Sequence, residues 1–202
     1  MKVSSSFAEI RRKVLFFLAD GLSHVFHPIF YLIYTYALFS SQENPVFILH
    51  LLQLVFLFAL LPILLIYLYH PDLHLKDRKT RFFPLMLVGL GQALLLAWQH
   101  YFPFFALDPI FVPLLWVQLL GSLVLILVNL KIKASLHTFA ATAYAIWLVV
   151  LFENSLSIAI AAVLLFLVIW ARLYTKAHQV SEIIAGLFCG LLCGSLLPLL
   201  MA

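Results

Sequence analysis

The chain has 202 residues, 65% of them hydrophobic and only 10% charged, with a formal net charge of +4 and a mean hydropathy of +1.13. No soluble domain has an interior large enough for that much apolar surface, so the composition excludes a soluble enzyme and a nucleic-acid-binding module and points to an integral membrane protein.

Residues 1–20 come first. After "RRK" the apolar run "VLFFLA" is too short for a signal peptide, and no small-residue cleavage site follows. Phe7, Ile10, Val14 and Phe17 recur at helical spacing beside Arg11, Arg12 and Lys13. That pattern predicts an amphipathic helix lying on the membrane surface.

From residue 21 to 202 the expectation is a single membrane domain. Its uncharged stretches are Gly21–Gln42, Asn44–Pro71, Phe82–Leu107, Pro109–Leu130, Ala134–Phe152, Asn154–Ala171 and Ile183–Ala202. Each is near the ~20 residues that span a bilayer core, the fifth and sixth being short. Their uncharged length and lack of alternation predict helices rather than a membrane barrel. The expected fold is an all-α polytopic bundle of about six to seven transmembrane helices behind the N-terminal surface helix. Cys189 and Cys193, the only cysteines, stand at i,i+4 in the last stretch, where they suit helix packing better than a disulfide.

Alternating the stretches across the bilayer puts all 12 Lys and Arg on the side of the N-terminus, the near side. The breaks at Glu43, Asp108 and Glu153 fall on the far side. His74 and His178 are also near, with His70 and His137 at adjoining helix ends. A face crowded with cations and imidazoles suits an anion, and beside lipid the obvious anion is a phosphate headgroup.

Three near-side segments carry the chemistry. In "HPDLHLKDRKTRFFPL", residues 70–85, Lys76, Arg78, Lys79 and Arg81 precede the third stretch. His70 and His74 have only Asp72 nearby and no cysteine, which argues against a zinc site. In "KIKASLHTFAATAYA", residues 131–145, Ser135 and His137 open the fifth stretch. A helix N-terminus there offers free N–H groups to a phosphate, and His137 can protonate a leaving oxygen. A plain helix cap and an interfacial histidine explain this segment equally well. In "WARLYTKAHQVSEIIAG", residues 170–186, His178 and Glu182 are i,i+4 and face the same way if the last helix begins early. A carboxylate on one ring nitrogen leaves the other with a lone pair, and Arg172 can hold phosphate oxygens by a fork of hydrogen bonds.

These segments resemble the type-2 phosphatidic acid phosphatases, lipid phosphatases that share their active-site design with vanadium haloperoxidases. The family's signatures are K-x6-R-P, P-S-G-H and S-R-x5-H-x3-D. The third is matched in spacing by Ala171-Arg172, His178 and Glu182, with Ala for Ser and Glu for Asp. The second is matched by Ala134-Ser135-Leu136-His137, without its Pro and Gly. The first has the right length from Lys76 to Pro84, but Phe83 stands where Arg belongs and Arg81 is the substitute at hand. The resemblance spans about residues 70–200.

The resemblance implies metal-free hydrolysis in two steps, with no cofactor. His178 would attack phosphorus to form a phosphohistidine, and Glu182 would orient it. His137 would be the acid for the leaving group, then the base for water. Lys76, Arg81, Ser135 and Arg172 would hold the phosphoryl oxygens. The expected partners are the lipid bilayer and a membrane lipid phosphate or diphosphate: a polyprenyl phosphate, phosphatidic acid or a related lipid. A catalytically decayed scaffold or binding protein of the same fold and a lipid phosphotransferase are the alternatives. The expected place is a bacterial inner membrane, with the motif-bearing face cytoplasmic by the excess of positive charge in short loops.

Overall fold

The computed structural model describes residues 3–31, 33, 36–37, 47–56, 60–69, 82–101 and 111–201. The described part is all-helical: α1 (Val3–Val25), a 3-10 turn (Pro28–Phe30), α2 (Phe47–Val55), α3 (Leu61–Tyr69), α4 (Phe82–Tyr101), α5 (Val112–Asn129), α6 (Leu136–Phe152), α7 (Ser155–Tyr174), α8 (Val180–Gly194) and α9 (Leu197–Met201). Four continuous segments, Phe82–Tyr101, Val112–Asn129, Ser155–Tyr174 and Val180–Met201, are long and apolar enough to cross a membrane, and Leu136–Phe152 is a shorter apolar helix. The expected all-α membrane bundle is what the chain forms. Several boundaries differ from the uncharged stretches: a 3-10 turn at Pro28–Phe30 falls inside Gly21–Gln42, and α8 begins at Val180, ahead of Ile183. The helix α1 runs on past Gly21 to Val25, and α7 runs past Arg172 to Tyr174. A single arginine in the last turn does not end a helix, because its long stem carries the charge toward water and it favours the C-terminal dipole.

The shortest of these apolar helices is also the central one. Helix α6 packs against α5, α7, α8, α9 and the 3-10 turn. Phe139, Ala141, Ala143, Trp147 and Leu148 are buried along it, together with Thr138 and Thr142. Tyr144 stacks on Trp147 at a ring separation of 5.8 Å and meets Tyr31 at 5.0 Å. A helix enclosed by protein need not match the bilayer's thickness, which accounts for its 17 residues.

Close contact between α6 and α8 depends on glycine. Gly186, Gly190 and Gly194 stand four residues apart on α8. A Cβ on Gly186 would lie 2.5 Å from Ser135 O, and one on Gly190 would lie 2.6 Å from Thr142 Cβ and 2.8 Å from Phe139 O. One on Gly194 would lie 2.5 Å from Ile146 Cδ1. Small residues at this spacing let two membrane helices approach backbone to backbone, and van der Waals packing then holds them together. Helices α4 and α5 are joined differently. Ser122 Oγ donates to Gln92 Oε1 at 2.9 Å, and both residues are buried, so a polar group satisfied across the interface fixes that pair.

The ends of the C-terminal helices are set by local chemistry. Ser135 caps α6, its Oγ accepting from Thr138 N at 3.3 Å and from Thr138 Oγ1 at 3.0 Å. Asn154 caps α7, its Oδ1 accepting from Ser157 N at 2.8 Å. The chain leaves α7 through Lys176, whose φ of 54° is left-handed. That turn lets Ala177 N and His178 N both donate to Arg172 O, at 3.2 and 3.4 Å. The start of α8 is thereby folded back onto the end of α7.

Candidate active site

The ends of α6, α7 and α8 converge at one mouth of the bundle. Ser135 N donates to Glu182 O at 2.9 Å, which ties the start of α6 to the first turn of α8. The close contact at Gly186 lies directly beneath this bond, since its missing Cβ would strike Ser135 O.

His178 is the centre of the mouth. Its Nδ1 donates to Glu182 Oε2 at 2.6 Å, and its side chain is 2% exposed. The pair meets as the spacing predicts, but by a different route. Helix α8 starts at Val180, so His178 precedes it and does not share its face. Gln179 is extended, with φ −81° and ψ 160°, and Glu182 is the third helical residue. Its carboxylate reaches back over the helix start, where Oε2 also accepts from Gln179 N at 3.3 Å. This is the reach that a glutamate at that position makes in a capping box, with a histidine added to it. A proton held on Nδ1 leaves the lone pair on Nε2. Lys133 stands 3.8 Å from Glu182 Oε1 and keeps positive charge on the carboxylate's other oxygen.

A cleft of about 370 Å³ opens beside His178, lined in part by Lys133, Lys176, Gln179 and Glu182. His137 and Arg172 are outside its lining. They form a second group, with His178 common to both: Arg172 and His178 each act electrostatically on His137, and Arg172 acts on His27 as well. His137 Nε2 bonds to Ser23 O of α1 at 3.2 Å. The His27 ring meets the His137 ring edge-on, centroids 5.0 Å apart and planes at 86°.

Residues 121–202 match the PAP2 superfamily. The resemblance to type-2 phosphatidic acid phosphatases is borne out over that segment, which contains both the Ser135–His137 and the Arg172–Glu182 motifs. The matched segment leaves Lys76 through Pro84 outside it. No curated protein and no solved structure matches the chain.

The PAP2 segment brings His137, Arg172, His178 and Glu182 to one mouth. Ser135 is there too, but fully buried, with its hydroxyl engaged by Thr138. Lys76 and Arg81, with His70 and His74, lie outside the described residues. Three neighbours were not singled out from the sequence. Lys133 was legible only as one near-side cation among 12, while Lys176 belongs to the segment 170–186 with Arg172, His178 and Glu182. Ser23 and His27 have no local signal at all, because Ser23 meets His137 across 114 residues of chain.

Proposed function

We propose that the protein is a lipid phosphate or diphosphate phosphatase that works through a phosphohistidine on His178. The observation that carries this reading is the His178–Glu182 pair at 2.6 Å, beside a cationic cleft. A buried histidine oriented by a carboxylate is an activated nucleophile.

In the first step the Nε2 lone pair of His178 attacks phosphorus. The bond from phosphorus to the leaving oxygen breaks, and that oxygen takes a proton from His137, whose protonated form the negative charge of the bound phosphate favours against the burial and the Arg172 charge that oppose it. In the second step His137 removes a proton from water, whose oxygen attacks the phosphohistidine. The P–N bond breaks, its electron pair returns to Nε2, and inorganic phosphate leaves. Arg172 forks two phosphoryl oxygens. Lys133 and Lys176 draw the anionic headgroup into the cleft. The N–H groups at the start of α6, shaped by the Ser135 cap, add positive character where charge develops. Lys76 and Arg81 join the phosphate ligands on the strength of their spacing. No divalent metal is needed, because side-chain cations neutralise the phosphoryl charge.

The substrate is a lipid with a phosphate or diphosphate headgroup, admitted sideways from the bilayer with its chain against the apolar helices. Residues 1–20 lie on the membrane surface, with Arg11, Arg12 and Lys13 toward the headgroups. The active mouth faces the cytoplasm. Single cysteines in place of Gln42 and Thr80 test that placement in intact cells: an impermeant reagent reaches position 42 and not 80, and the reverse pattern puts the mouth outside.

The functional test is phosphate release by purified protein from a panel of polyprenyl diphosphate, polyprenyl phosphate, phosphatidic acid and phosphatidylglycerol phosphate. At least one is hydrolysed. Phosphate release from none overturns the reading in favour of a non-catalytic binding protein.

A further inference from the structure

The two histidines of the mouth are anchored in different ways. Glu182, four residues away, holds His178. His137 is held from outside the PAP2 segment, by the C-terminal end of α1. The last carbonyls of a helix lack partners within it. In α1 two of them are satisfied locally: Leu22 O accepts from Phe26 N at 2.9 Å, and His24 O accepts from His27 N at 3.2 Å. Pro28 stops the helix from continuing, and His27 N closes a tighter turn onto His24 O instead of reaching Ser23 O. The Ser23 carbonyl is thereby released to the bond with His137 Nε2. Its hydroxyl is turned away, donating to Ala19 O at 3.0 Å. The His27 ring then stands edge-on against the His137 ring and limits its rotation.

We propose that the end of α1, from Ser23 to Pro28, is a positioning element for the general acid, fixing His137 with its proton on Nε2 so that Nδ1 gives and takes the catalytic proton. This rests on the role given to His137 above. The Ser23 carbonyl acts on His137 as Glu182 acts on His178. In the first step the Nδ1 proton of the doubly protonated ring passes to the leaving oxygen while the Nε2 proton stays on Ser23 O. In the second step the Nδ1 lone pair takes the proton from water.

The leaving group separates positioning from general structural support. An alkyl phosphate needs its leaving oxygen protonated, whereas nitrophenyl phosphate expels nitrophenolate, which leaves unaided. Two full-length variants are measured with both substrates in the first turnover. His27→Ala removes the ring, and Pro28→Ala lets His27 N compete for the Ser23 carbonyl. Both are expected to slow alcohol release from a short-chain lipid phosphate by about tenfold or more, a fraction of full acid catalysis, with little change in KM. Nitrophenol release in the first turnover stays near wild type, and phosphohistidine accumulates because its hydrolysis still needs His137. An equal fall with both substrates, or a fall with neither, overturns the proposal. His137→Ala run in parallel separates the two claims. If it leaves the alkyl substrate unaffected, the role of His137 fails and this inference with it.

Discussion

The starts of α8 and α6 each hold a histidine at the shared mouth, by different construction. At α8, His178, Gln179 and Glu182 lie within five residues, and one carboxylate both closes the helix start and orients the ring. At α6, Ser135 caps the helix and His137 two residues later takes its anchor from the far end of the sequence. The first arrangement comes with its helix wherever that helix forms. The second exists only once α1 has packed onto α7 and the 3-10 turn onto α6. One histidine is thus fixed by local chemistry and the other by tertiary structure, so damage at the start of α8 and at the start of α6 has different consequences.

The largest expected effect is at α8. His178→Ala removes the nucleophile and lowers turnover by about 10⁴-fold or more, while the protein stays folded in detergent. Wild-type phosphate release by this variant from every lipid the wild type cleaves would dissolve the comparison. Next come the groups that assist. Glu182→Gln costs about 10²–10⁴-fold in kcat, because an amide no longer favours the Nδ1–H tautomer or the charge on the ring. His137→Ala costs about 10²–10⁴-fold through lost proton transfer. Rates for the two on lipid phosphate and nitrophenyl phosphate sharpen the contrast: the loss at Glu182 persists with both substrates in the first turnover, and the loss at His137 falls mainly on the lipid.

A smaller effect is on stability. Gly190→Ala places a methyl 2.6 Å from Thr142 Cβ and 2.8 Å from Phe139 O. Overpacking of that kind costs about 1–3 kcal/mol, read as a lower unfolding midpoint in detergent. An unchanged midpoint would show that α6 and α8 are not held at backbone contact. The smallest effect is none at all: phosphate release continues in excess chelator, since Arg172, Lys133 and Lys176 supply the positive charge. Loss in chelator with recovery on adding magnesium would return attention to His70 and His74 as metal ligands.

What the sequence made legible follows the same division. Hydropathy and charge breaks located the apolar helices, because each depends only on its own residues. The Arg172, His178, Glu182 spacing pointed to one cluster, although the contact comes from a reach across a helix start and not from a shared helical face. The glycines of α8 were readable as small residues every fourth position, but their partner helix was not. Lys133 was one basic residue among many until its distance to Glu182 singled it out. Ser23 and His27 left no trace, because a backbone carbonyl released by a proline five residues further on has no residue code.

The central claim is a covalent phosphoryl group on His178. The direct measurement is rapid quench of the purified protein with a lipid phosphate labelled in its phosphoryl group, followed by mapping of the label on the chain. The account predicts an acid-labile, base-stable label on the peptide that holds His178, absent in His178→Ala. Label of undiminished strength in His178→Ala, or full turnover by that variant, would contradict it.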